Sequence, residues 1–168
     1  MTIIILLQLV EQFYPKSSII VQQMHKDFYA SGFLYHPKTQ QILLQQENTA
    51  DIEPTWSLFG GDSLNGETSE EAFRRIIKQA LKLDLKLNAI SQIYNYFHDE
   101  KHKDSFVHYA KVRKLEKFDN SKKFTYAWFT FKEIQKLHIP ISVKQDIIVG
   151  QRVIDSAIRR SLGQQTIE

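Results

Sequence analysis

The segment from Trp56 to Leu83 constrains the fold more than any other part of the chain. A short apolar run, Trp56 to Phe59, meets Gly60-Gly61, and a polar loop then carries the chain to Glu67. From Thr68 onward apolar residues recur at helical intervals as Phe73, Ile76, Ile77, Ala80 and Leu81. Thr68 with Glu71 three residues later has the spacing of a capping box, in which each side chain bonds the other residue's backbone N–H. The reading is a strand, a tight glycine turn, a loop and a capped helix. That order suits a ligand site, because the loop and the helix start present unpaired N–H groups.

Strand patterns surround this unit. Residues 27–36 and 41–46 are rich in aromatic and aliphatic residues and flank the turn His36-Pro37-Lys38-Thr39, which reads as a hairpin. Three more strands are expected at Ala89 to Phe97, Ser105 to Arg113 and Phe124 to Phe131. Two helices then close the chain, one capped by Thr130 and Glu133, the other by Ser142 and Gln145. The second should turn Ile147, Ile154, Ala157 and Ile158 inward and end near Gly163. Pro15 breaks an N-terminal apolar element, and residues 19–24 read as a strand after it. The expected fold is an α/β (α+β) layered sandwich, a mixed sheet between helices. Residues 1–24 are expected to be an N-terminal extension and 25–168 the main domain.

Composition excludes several alternatives. A chain that is 42% hydrophobic and 24% charged can bury a core, so disorder is not its main state. The absence of cysteine removes disulfides, thiolate nucleophiles and zinc-finger chemistry, and suits a reducing cytoplasm. The N-terminal apolar run is too short for a bilayer and lacks the flanks of a signal peptide, so no membrane role is expected. The net charge of +3 permits a polyanionic ligand without demanding one. Lys111, Arg113, Lys114, Lys117, Lys122 and Lys123 crowd one stretch, which reads first as a solvated strand end and second as a nucleic-acid patch.

The central segment resembles the signature of the Nudix (MutT-like) hydrolase superfamily. Gly61 is followed after five residues by Glu67 and after seven more by Arg75, while Ile77 and Leu83 fall on the signature's apolar positions. Gly60, Gly66, the opening Thr68 to Ala72, Trp56 and Trp128-Phe129 also look like the family. The resemblance implies a pyrophosphohydrolase-type protein acting on a nucleoside diphosphate linked to another moiety. Its cofactor would be Mg or Mn if it is active. It also implies that Glu67 and Arg75 brace loop and helix, and that Trp56, Gly60 and Gly61 border the substrate.

The departures are concentrated in one place. Ile76, Gln79 and Ala80 stand where the family carries helix glutamates, and Lys82 and Leu64 replace a late glycine and a common loop glutamate. Positions i, i+3 and i+4 share one helix face, so the metal cradle has lost its carboxylates together. Magnesium prefers anionic oxygen ligands, and here only the Gln79 amide and the nearby Glu67 and Glu71 remain as weak candidates. Asp62, Glu47, Glu53, Asp99 and Glu100 fall on expected loops that border the cleft or lie free in solvent, and Glu70 should face solvent. The signature is a degenerate Nudix box, and hydrolysis should be weak or absent. The alternative is a non-catalytic module on the same fold that binds a nucleotide, RNA or protein, as a monomer or a homodimer.

Other constellations are weaker. His98, His102 and His108 lack the spacing of a helical zinc motif and read as turn and strand residues. Trp56, Tyr94, Tyr96, Phe97 and Tyr109 would stack a nucleobase only if they lined the cleft; otherwise they are core.

Overall fold

A computed structural model describes residues 27–48, 53–100, 102–121 and 123–164. The N-terminal element, the strand at residues 19–24 and Lys122 lie outside the described residues.

The strands are β1 (Phe28–His36), β2 (Gln41–Glu47), β3 (Trp56–Ser57), β4 (Phe59–Asp62), β5 (Ile90–His98), β6 (Lys103–Lys111) and β7 (Phe124–Thr130). The helices are α1 (Ser69–Leu81), α2 (Phe131–Ile134) and α3 (Ile141–Ser161). The sheet is mixed. β1 pairs in parallel with β6 along its length, from Phe28 opposite Asp104 to Tyr35 opposite Lys111, and every other pairing is antiparallel.

β1 and β2 share ladder pairs only near their turn, from Leu34 opposite Leu43 to His36 opposite Gln41. Beyond that the two strands diverge. β4 takes over the vacated stretch of β1, pairing Gly61 with Ala30, and β3 does the same for β2, pairing Ser57 with Gln45. β7 runs along β2, from Gln41 opposite Thr130 to Glu47 opposite Phe124. This divergence leaves an opening between β4, β2 and the end of α1.

Alternation along the strands sorts side chains to two faces. Leu34, Leu43 and Phe59 pack with Phe73, Ile76 and Ile77 of α1. Phe33, Tyr35, Ile42 and Leu44 pack on the opposite face with Ile134, Ile147 and Ile154 of α2 and α3. The sheet therefore lies between helices, as expected. Gly32 sits where β1, β6 and α1 meet. A methyl group there would lie 2.1 Å from the His108 carbonyl oxygen and 2.9 Å from the Phe73 ring.

Both capping boxes, Thr68–Glu71 and Thr130–Glu133, are formed. The one expected at Ser142 and Gln145 is not. α3 begins at Ile141 behind Pro140, whose φ of -54° feeds the chain into the helix two residues early, with no side-chain cap. Ala157 is half-buried and Ile158 is exposed, because the last turn of α3 runs beyond the sheet's shelter.

Candidate functional site

The loop between β4 and α1 is held by one guanidinium. Arg75 Nε donates to Glu67 Oε1 at 2.7 Å, and Nη2 donates to Glu67 Oε2 at 2.9 Å and to the Asp62 carbonyl at 2.8 Å. Glu67 Oε2 also accepts the Leu64 N–H at 2.9 Å. One ion pair thus clips both ends of the loop to the second turn of α1. Gly66, at φ +83°, makes the left-handed step that returns the chain to the helix. The hydrogen bond to Glu67 raises the Arg75 pKa, while partial burial acts against it.

Beside this brace lies an open cleft of about 480 Å³. α1 lends it Ile76, Gln79 and Ala80, with Lys82 just past the helix end, and β4 lends Gly60. The opposing wall is Gln45 of β2 together with Ser121, Phe124 and Tyr126. The helix face named by the sequence thus does face a cleft, and among the described residues the ionisable groups on its lining are Lys82 and Tyr126. Burial raises the Tyr126 pKa, while the Ser121 hydroxyl acts against it. The phenol donates to the Ala80 carbonyl at 3.4 Å.

A hard divalent cation needs several oxygen ligands, preferably anionic, and the residues here do not fit it. Ile76 is 8% exposed and its side chain lies against Gly61, where an added methyl would come within 3.3 Å of it. Ala80 has no donor atom, and Gln79 has one neutral oxygen. Both Glu67 oxygens are committed to the brace, and Glu71 is committed to the Thr68 cap, accepting its N–H at 2.9 Å. Glu70 is half-buried rather than solvated, and accepts from the Ser69 hydroxyl at 3.2 Å. Asp62 pairs with Lys103 at 2.9 Å, Glu47 with Lys123 at 3.6 Å and Glu53 with His138 at 3.4 Å. Asp99 and Glu100 lie exposed in a turn. Among the described residues no group of three or more histidine or acidic side chains is placed to hold a metal ion.

Other sequence-marked residues are dispersed. Trp56 is packed edge-on against Phe129, with centroids 4.7 Å apart, and does not line the cleft, whereas Gly60 does. Tyr109 is buried, Tyr94 and Tyr96 stack with each other on β5, and Phe97 is 52% exposed. His108 is buried, stacks on Phe73 and lies 3.1 Å from the Ser69 hydroxyl, and burial lowers its pKa. His98 stacks on Tyr96, and His102 occupies a turn. A separate open space of about 630 Å³ beside Lys38, Lys111 and Arg113 shares no lining residue with the cleft. The aromatics that do line the cleft, Phe124 and Tyr126, were not singled out by the sequence reading. Their spacing of two on one strand put them on a common face, but only the pairing of β7 with β2 identifies that face.

No helix among the described residues is long and apolar enough to cross a membrane. The sequence profile of the NUDIX domain matches residues 26–146. No curated protein matches significantly. Among solved structures, the NUDIX domain of Shewanella oneidensis NrtR, complexed with ADP ribose, superposes with a TM-score of 0.61 at 13% identity, covering 92% of this chain and 99% of that one. A mutT/nudix family protein from Listeria innocua gives 0.60 at 16% identity, covering 78% and 95%. A C. elegans Ap4A hydrolase binary complex gives 0.59 at 15% identity, covering 76% and 98%. At these identities the likeness is one of fold.

Proposed function

The chain belongs to the Nudix family, and from that premise we propose that its cleft binds a nucleotide or a nucleoside diphosphate linked to another moiety, with metal-dependent hydrolysis weak or absent. The observation that carries this reading is the α1 face. Ile76, Gln79 and Ala80 line the cleft and bring no carboxylate to it. Nudix hydrolases use divalent metals such as Mg or Mn, whose role is to neutralise charge on the phosphates at the transition state. A face with one amide oxygen supplies no such ion.

The remaining parts suit binding. The Arg75–Glu67 brace fixes the loop, and Phe124 lends the cleft lining an aromatic ring. Two fold neighbours in complex, one with ADP ribose and one an Ap4A hydrolase, suggest the probes.

The test pairs thermal shift with a turnover assay. ADP-ribose, a dinucleoside tetraphosphate and nucleoside triphosphates are supplied with magnesium, with manganese or with chelator. The expected result is stabilisation by at least one nucleotide and no metal-dependent product. Efficient turnover with either metal would refute the non-catalytic reading. The triple change Ile76→Glu, Gln79→Glu and Ala80→Glu is expected to create metal binding, and unchanged magnesium affinity would count against this assignment of the α1 face.

A further inference from the structure

Lys82 is the first residue beyond α1. Its backbone is left-handed, at φ 57° and ψ 20°, and its N–H closes the helix on the Lys78 carbonyl at 3.0 Å. Glycine is the residue that accepts this conformation without steric penalty. A lysine kept there has a strained backbone, which directs attention to its side chain.

That side chain is exposed and lines the cleft. The Lys82 ammonium lies 3.4 Å from the Gln79 carbonyl, and the Tyr126 phenol lies at the same distance from the Ala80 carbonyl. These carbonyls belong to the last turn of α1, the negative end of the helix dipole, which repels an anion. An anion in this cleft therefore needs a fixed or mobile cation beside that end. Among the described residues, Lys82 is the one cationic side chain on the cleft lining, and no carboxylate on that lining opposes it.

We propose that the Lys82 ammonium takes the place of a divalent cation, so that the cleft binds the diphosphate of its ligand in the metal-free form. The long stem allows the ammonium to leave the Gln79 carbonyl and meet a phosphate oxygen. Magnesium then becomes a competitor, because chelation by the diphosphate removes the charge that the ammonium reads. The proposal rests on the nucleotide-binding reading above.

Isothermal titration with ADP and with inorganic pyrophosphate, each in chelator and in excess magnesium, tests it on the full chain. Wild type is expected to bind ADP more tightly in chelator than in magnesium. Lys82→Gly suits the backbone and keeps the fold, and is expected to weaken binding in chelator about tenfold, the effect of losing one charge-assisted contact. Lys82→Arg, which keeps the charge, is expected to stay within about threefold of wild type. Equal affinity of wild type and Lys82→Gly in chelator, or binding that requires magnesium, would overturn the cation-replacement role while leaving a nucleotide site in place. No binding of either probe in either buffer would overturn the nucleotide reading and this inference with it.

Discussion

Replacing Arg75 by alanine should loosen the whole β4–α1 loop, and the size of the effect follows from what the guanidinium holds. It donates to both Glu67 oxygens and to the Asp62 carbonyl. The two side chains are 23% and 19% exposed, so the pair is neither free in solvent nor fully buried. Bonds to a charged partner are each worth about 1.5–3 kcal/mol when well sheltered, and an exposed ion pair is worth about 0–1. Discounting for the solvent that reaches this pair, the loss on Arg75→Ala is about 2 kcal/mol. For a chain of this size that lowers Tm by about 4–8 °C. Arg75→Lys keeps the charge but loses the fork, and should forfeit about half as much. Urea unfolding of both variants and of Glu67→Gln, combined as a double-mutant cycle, isolates the pair, with an expected coupling of about 1–2 kcal/mol. A coupling near zero, or Arg75→Lys as stable as wild type, would refute the claim that this fork holds the loop.

Gly32→Ala should cost about 3 kcal/mol or more, since the added methyl meets the His108 backbone carbonyl in the central ladder, where nothing can yield; calorimetry of the soluble variant checks it, and a near-neutral effect would contradict the packing. Lys82→Gly should raise stability by about 1 kcal/mol by removing the left-handed strain, read as a rise in the urea midpoint at unchanged m-value; an unchanged or lower midpoint would mean no strain is stored there. Burial raises the Asp146 pKa above its ordinary 3.8, with the Tyr94 hydrogen bond opposing, so the folded protein holds that proton more tightly than the unfolded chain. Asp146 therefore subtracts stability as pH rises from 3.8 through the raised value, so wild type loses stability relative to Asp146→Asn over that range; a stability difference between the two that stays flat with pH would overturn this.

What the sequence disclosed was local. Both threonine–glutamate boxes and the strand patterns needed only neighbours within a turn or a hairpin, while the Glu67–Arg75 brace came from the family resemblance. The sheet between helices was legible as well, from the order of strand and helix patterns. The cleft wall was not, because Phe124 and Tyr126 enter it through the pairing of β7 with β2, and no periodicity reveals which strand another will choose. Trp56 carried the family likeness but lies against Phe129, a contact set by the same distant pairing. The start of α3 was misplaced for the opposite reason. A good capping pair at Ser142 and Gln145 lost to the stiffer Pro140 just before it.

The central ladder has a consequence in time rather than in space. β1 can close its hairpin with β2 as soon as the chain has passed Glu47, but its other edge must wait for β6, with β4, α1 and β5 intervening. A parallel pairing of such separation comes with a large loop-closure entropy and folds late. The expected transition state holds the hairpin already formed and β6 arriving, and pulsed amide exchange should protect Leu34 and Leu43 before Ala110, whose N–H faces β1. Until β6 docks, β1 is an apolar strand with one open edge, and the nascent protein's exposure to misassociation ends with that single event.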